Sequence, residues 1–413
     1  MTASACEDAA PVQGSAPTAW RLPALAQLLI GWGGNQFTPM LIEYRRRAGY
    51  SALDVDIFLG AYVLGLVPGL LLAAALSDRY GRRPLMTAGL VSAILGSAVL
   101  ALGDVGGFAL LFAGRTLSGI AVGVAMAVGS SWVSELSASP YAAQASGTGA
   151  RRASIALTVG FALGPLSAGV LGQWSDAPLV WPYIVQIVLC LPVVVLVATR
   201  GIETRHDRGA VRVVHRLRVP AVAHGRFLRV VLPMAPWIFG SAAVAYAILP
   251  QLVDDKVGRW ALLYTVGVTV AALSCGVLVQ PIARRLDDVS TARAVVVSML
   301  LMTVGIVGGV VTAATRSPIL AVPVAVVLGA AYGIAVVSGL LEVQRIAEPD
   351  ELAGLTGVYY SLAYVGFLLP ATLAGLSHVT SYPVMLGVLA VVALACTLVC
   401  ISGWAKHLPA RRA

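Results

Sequence analysis

The sequence predicts an all-α membrane protein with about twelve transmembrane helices in two pseudo-symmetric six-helix halves, and three observations predict it. Of the 413 residues 58% are hydrophobic and only 11% are charged, and the mean hydropathy is +0.86, a bilayer composition. Apolar runs of roughly 20 residues, the length that crosses ~30 Å of hydrocarbon, recur from Arg21 to Trp404, separated by short polar or Gly/Pro-marked turns. Short motifs of the first six runs then return, in order, in the last six.

The predicted spans start near residues 22, 55, 85, 107, 153, 182, 227, 260, 293, 318, 353 and 383. They divide the chain into a cytoplasmic tail (1–20), a first bundle (21–199), an Arg- and His-rich cytoplasmic linker (200–225), a second bundle of equal length (226–404) and a C-terminal tail (405–413). Gly81-Arg82-Arg83 after the second span echoes Ala283-Arg284-Arg285 after the eighth. Gly119-Ile-Ala-Val in the fourth echoes Gly333-Ile-Ala-Val in the tenth, and Gly160-Phe-Ala-Leu-Gly-Pro165 in the fifth echoes Gly366-Phe-Leu-Leu-Pro370 in the eleventh. Two such halves facing each other enclose a cavity near the midplane, the geometry that alternating access requires.

Charge sets the expected orientation. With both termini inside, 21 of the 28 Lys and Arg residues face the cytoplasm, six face outward and Arg115 falls within a span. The net charge of +9 is thus an orientation signal with some attraction for anionic lipid, and no nucleic-acid partner is needed to explain it. The first stretch holds Glu7 and Asp8 without a basic lead before an apolar core, so it reads as a disordered tail rather than a cleaved signal. The expected location is the cell membrane, the inner membrane of a bacterium, with the protein acting as a monomer.

Several function classes fall away. The five cysteines lack metal-ligand spacing and read as small apolar residues, and the five histidines lie in loops or near span ends. No nucleophile–base, metal-protease or phosphate-loop arrangement occurs, so neither an enzyme nor a bound metal or cofactor is expected.

The loop after the second span carries Asp78, Arg79, Gly81, Arg82 and Arg83 between two apolar runs. A mere topology signal would need only the arginines, not the carboxylate and glycine at this spacing. Arg115 is the costliest residue, about eight positions inside the fourth span, where a charge costs at least ~2.5 kcal/mol. It is either a cavity-facing cation that senses proton transfer or holds substrate, or a structural arginine bonded to carbonyls of the first helix. Arg115-Thr-Leu-Ser-Gly119 and Gly160-x-x-x-Gly164-Pro165-x-x-x-Gly169 follow in the fourth and fifth spans.

Together these stretches resemble the major facilitator superfamily over nearly the whole chain outside the tails and linker. The resemblance implies that the Asp78 loop is the family's conformational switch, although Ala74 stands where the family's leading glycine would be. It also implies that the fifth-span glycines mark an exporter akin to the twelve-helix drug/proton antiporters, although Ala168 stands where that motif's first closing glycine would be. Asp78 is expected near the start of the eleventh helix, at Gly354 to Gly357, where unpaired amides favour an anion.

Proton coupling is likewise an implication of the resemblance. No acid lies at the middle of a span; Glu43 and Asp56, near outer ends, are the favoured carriers, with an ordinary helix-end role as the alternative. Around mid-membrane, Trp32, Asn35, Gln36 and Phe37 read as one cavity wall, beside glycines and Pro39 that permit bending, or else as packing in a glycine-rich helix. Trp237, Tyr246, Tyr264, Tyr332, Tyr360 and Tyr364 supply aromatic candidates for the other wall, where an interfacial belt is the alternative. The expected function is export of hydrophobic or weakly cationic drug-like molecules in exchange for protons. Uptake of an amphipathic metabolite, or a membrane sensor or scaffold without transport, are the alternatives.

Overall fold

A bilayer offers the backbone no hydrogen-bond partners, so each apolar run must satisfy its own amides as a helix. The computed structural model, which describes residues 17–142, 148–204, 219–348 and 351–405, has eleven helices long and apolar enough to cross a membrane. They are α2 (Ala52–Tyr80), α3 (Arg82–Ala101), α4 (Gly107–Glu135), α5 (Thr148–Trp174), α6 (Trp181–Arg200), α7 (Phe227–Leu252), α8 (Asp254–Leu286), α9 (Arg293–Thr315), α10 (Pro318–Ile346), α11 (Gly354–Leu376) and α12 (Tyr382–Ser402). The twelfth, α1, comes in two abutting pieces, Arg21–Asn35 and Phe37–Arg47. Most of the predicted N-terminal tail, the linker's central part (205–218) and the C-terminal tail from residue 406 lie outside the described residues.

Packing repeats between the halves. In the first, α2 lies on α4, α3 on α4 and α6, and α1 on α5; in the second, α8 lies on α10, α9 on α10 and α12, and α7 on α11. Each pair recurs six helices later. The halves meet along α2–α11 and α5–α8, which the same pseudo-symmetry exchanges.

The echoed glycines explain these contacts. A Cβ on Gly119 would lie 2.0 Å from the carbonyl oxygen of Tyr62 on α2, and one on Gly333 would lie 1.9 Å from that of Gly276 on α8. On α5, Gly160 and Gly164 face the carbonyls of Leu28 and Trp32 at 2.1 and 2.3 Å, and Gly366 on α11 faces that of Pro236 at 2.2 Å. Only a hydrogen fits between such backbones. The motif glycines of α5 are therefore seats for α1, with Pro165 buried in the same helix, while Gly169 lies against Val266 of α8 across the half boundary.

Among the interruptions of the described helices, three are related by a proline. Residue Gln36 separates the pieces of α1, a π-turn spans Val244–Ile248 in α7, and a 3-10 turn spans Gly366–Leu368 in α11. A proline removes the amide that would bond four residues back and crowds that carbonyl. Pro39, Pro250 and Pro370 place this defect at Asn35, Tyr246 and Gly366, one at each interruption. All three interruptions border the space between the halves.

Candidate functional site

That space is a cavity with about 490 Å³ of empty volume, its opening to solvent included. The first half contributes Gly34, Asn35 and Thr38 from α1, Leu59 and Tyr62 from α2, Arg115 from α4 and Phe161 from α5. From the second come Phe239, Ala242 and Tyr246 on α7, Leu273 on α8, Tyr332 on α10, and Tyr364 and Phe367 on α11. The Phe239 ring stacks on Tyr364 (centroids 4.1 Å, planes 18° apart) and on Phe367 (4.9 Å, 22°), forming a continuous aromatic wall.

Of the residues the sequence offers as cavity candidates, Asn35, Tyr246, Tyr332 and Tyr364 line this space. Asn35 is already engaged, donating to the Phe161 carbonyl (2.8 Å) and accepting from the Thr38 hydroxyl (3.0 Å). Its neighbours take other roles. Phe37 is buried beneath Arg115, and Gln36 is buried with neither end of its amide bonded to a described residue. Trp32 faces α5 through its backbone, and Trp237 belongs to the core of the second half. Tyr264 donates to the Pro318 carbonyl at 2.6 Å, and Tyr360 packs on Tyr359 (5.1 Å). None of these six lines the cavity, because spacing along a helix does not say which way the helix is turned.

Arg115 both borders the cavity and bonds to helix carbonyls. It is 1% exposed and lines the cavity, and its guanidinium donates to the carbonyls of Phe58 (Nε, 3.3 Å) and Gly34 (Nη1, 3.3 Å). The rings of Phe37 and Tyr62 flank it, with centroids 4.4 and 4.7 Å away, close enough for cation–π attraction. It therefore braces α4 against α1 and α2 while turning its charge toward the space between the halves.

The Asp78 loop forms a charged hub. Arg82, 5% exposed, pairs with Asp78 (3.0 Å) and Glu135 (2.9 Å) and donates to Ser77. Gly81 has φ of 103°, a conformation that demands glycine, and a Cβ there would lie 2.4 Å from the Glu203 carboxylate and displace it. Glu203 accepts the amides of Arg82 (2.8 Å) and Arg83 (3.0 Å), capping the positive end of α3. Sequence reasoning missed Glu203, which lies 120 and more residues away, past the end of α6. Asp78 reaches the first turn of α3 through Arg82, and the expected neighbour, the start of α11, packs on α2 a little further along, where a Cβ on Gly357 would meet Leu71 at 2.8 Å. Arg79 and Arg83 remain exposed.

A sequence profile of the Major Facilitator Superfamily matches residues 24–371, from α1 into α11. The chain belongs to the Major Facilitator Superfamily. As a major facilitator it is a multi-pass membrane transporter. Over 150 residues it is 32% identical to a probable triacylglyceride transporter of Mycobacterium leprae, covering 36% of this chain and 28% of that protein. Over 68 residues it is 40% identical to the triacylglyceride transporter of Mycobacterium tuberculosis, covering 16% of this chain and 13% of that one. The matches span less than a third of the length of these curated relatives. Among solved structures it superposes with a TM-score of 0.76 on a POT family transporter in complex with 5-aminolevulinic acid (13% identity; 94% of this chain and 96% of that one). The xylose transporter XylE of E. coli gives 0.70 (15% identity; 93% and 97%). Identities this low speak for the fold alone.

In this major facilitator, polar side chains tie the halves together at the face that carries Arg45, opposite the Asp78 loop. Arg46 donates to the Asp254 carbonyl (3.3 Å) and Gln173 to that of Arg259 (3.4 Å). Asp56, 2% exposed, accepts from Gln251 of α7 at 3.2 Å. Glu43 is instead held within its own helix by Arg47 at 2.7 Å. At the Asp78 face the described partners of Arg82 lie in the first half, and a second cluster, Arg226–Glu342–Arg345–Asp287, lies in the second.

Proposed function

We propose that the chain exports hydrophobic or amphiphilic small molecules by alternating access, in exchange for protons. The observation that carries this reading is the cavity between the halves, whose lining is aromatic or aliphatic apart from Arg115, Asn35 and Thr38. Such a surface binds apolar bodies by area and ring contact rather than by a ladder of hydrogen bonds. The stretches shared with proteins named triacylglyceride transporters also favour an apolar, lipid-like cargo. A cationic cargo is disfavoured, because Arg115 would repel it across a site of low polarity.

The Lys and Arg distribution assigns the Asp78 face to the cytoplasm. The bridges at Arg46, Gln173 and Asp56 then close the outer face, as expected of a carrier loaded from the inside. On the same assignment the Asp78–Arg82–Glu135 hub is the switch that rearranges when the carrier turns outward, with exposed Arg79 and Arg83 resting on lipid headgroups. Asp56 is the better proton carrier of the two expected acids. Its bonded partner among the described residues is the neutral amide of Gln251, whereas Glu43 is neutralised by Arg47; gain of a proton at Asp56 would weaken a bridge between the halves.

Accumulation of hydrophobic dyes and antibiotics in an efflux-deficient bacterium tests the reading. Cells expressing the wild type are expected to accumulate less, and cells expressing Asp78→Asn at equal membrane levels to resemble the empty control. Unchanged or raised accumulation across the panel would refute export.

A further inference from the structure

We propose that the cargo is a monoanionic amphiphile, a carboxylate on an apolar or aromatic body, and that Arg115 receives its head group. The inference deepens the transporter reading above and rests on it. Among the described residues Arg115 is the single charged side chain in the cavity lining, and no described acid pairs with it. The other deeply buried arginines contrast with it: Arg82 has Asp78 and Glu135, and Arg226 has Glu342. Arg115 has two carbonyl oxygens at 3.3 Å and two ring faces, and its Nη2 has no protein acceptor among the described residues.

A guanidinium carries five donors in a planar fork that suits a carboxylate. Carbonyl dipoles and ring quadrupoles ease burial of its charge but do not cancel it. The rest of the lining has the same bias toward donors. The hydroxyls of Tyr62, Tyr246 and Tyr332 bond to no described residue, so each is able to donate into the cavity. The acceptor side of Asn35 is used by Thr38. A site with one cation, idle hydroxyl donors and no carboxylate among its described residues selects an anion. One positive charge amid apolar walls also selects a single negative charge, since a dianion would leave an uncompensated charge in the site. The stacked Phe239, Tyr364 and Phe367 rings then take the apolar body.

The test is equilibrium binding to the purified full chain in lipid nanodiscs at neutral pH, with empty nanodiscs subtracted for membrane uptake. Radiolabelled decanoate is displaced by unlabelled decanoate, decanol or decyltrimethylammonium, which share a tail and differ in charge. Decanoate is expected to displace at least about tenfold better than decanol, and the ammonium worst, as loss of a charge-assisted bond predicts. Arg115→Gln is expected to level decanoate with decanol, and Arg115→Lys to keep the order with weaker binding. Because Arg115 also braces three helices, the order in the wild type decides the matter if Arg115→Gln fails to fold. Equal displacement by decanol or the ammonium, or an anion preference that survives in Arg115→Gln, would overturn the proposal. Saturable binding of labelled decanol without preference for decanoate would overturn it while leaving amphiphile transport standing; no saturable binding of either would count against both.

Discussion

Arg226→Ala is expected to destabilise the second half by about 3–5 kcal/mol, because it leaves the buried Glu342 carboxylate without its cation. Arg226 is fully buried, Glu342 is 2% exposed, and the guanidinium grips both carboxylate oxygens, Nη2 reaching Oε1 at 2.7 Å. Arg345 contacts the same carboxylate at 3.1 Å but is shared with Asp287, so it compensates only in part. Thermal unfolding of the purified protein should show a clear loss for Arg226→Ala and partial recovery when Glu342→Leu is added, since the pair is replaced rather than broken. Equal stability of the wild type and Arg226→Ala would contradict this account of the cluster.

Gly119→Val is expected to prevent assembly of the first half. The glycine sits where α4 touches α2 backbone to backbone; any Cβ would meet the Tyr62 carbonyl at 2.0 Å and the Leu66 amide nitrogen at 2.8 Å. Gly65, facing Thr116 at 1.9 Å from the other side, shows that the contact is mutual. The neighbours are main chain and have no rotamer to yield, so the helices must separate, and separation also pulls Arg115 from the Phe58 carbonyl. Overpacking of this kind costs about 1–3 kcal/mol or more. Gly387→Ala, with nothing within 4 Å of its Cβ, is the matched control. Loss of monodisperse protein on size-exclusion chromatography for Gly119→Val alone is the expected result; equal yields would refute the close-contact argument.

The span starts were legible because each helix needs a full-length apolar run, and the runs are visible without partners. The interruption of α1 was half legible. Pro39 marks a point of bending by itself, but that it is one of three proline-linked interruptions around a cavity shows only when Pro250 and Pro370 are set beside it. Arg115 announced itself through the cost of a charge in a membrane. Of its partners, a carbonyl of the first helix is an expected alternative, which Gly34 supplies, whereas the Phe58 carbonyl of α2 carries no signal, since any residue supplies one. Glu203 was hidden for another reason: capping α3 depends on where the chain returns after α6, and no periodicity encodes that.

The cavity aromatics show the limit most plainly. Tyr360 and Tyr364 share a helical face by spacing, yet Tyr364 stacks on Phe239 and Tyr360 packs on Tyr359. A usable signal was present in the echo of Gly160-Phe161 by Gly366-Phe367. Both phenylalanines line the cavity, each beside a glycine that seats the neighbouring helix. A repeated large residue next to a repeated packing glycine is therefore a better guide to the cavity than an unpaired tyrosine.

Coupled export is tested most directly by uptake of a non-titrating amphiphilic dye into inverted membrane vesicles energised to carry protons inward. Saturable uptake is expected that needs the protein, stops when the proton gradient is collapsed, and is lost in Asp56→Asn while dye exchange without a gradient continues. Uptake that ignores the gradient, or dye movement in the opposite direction, would contradict it.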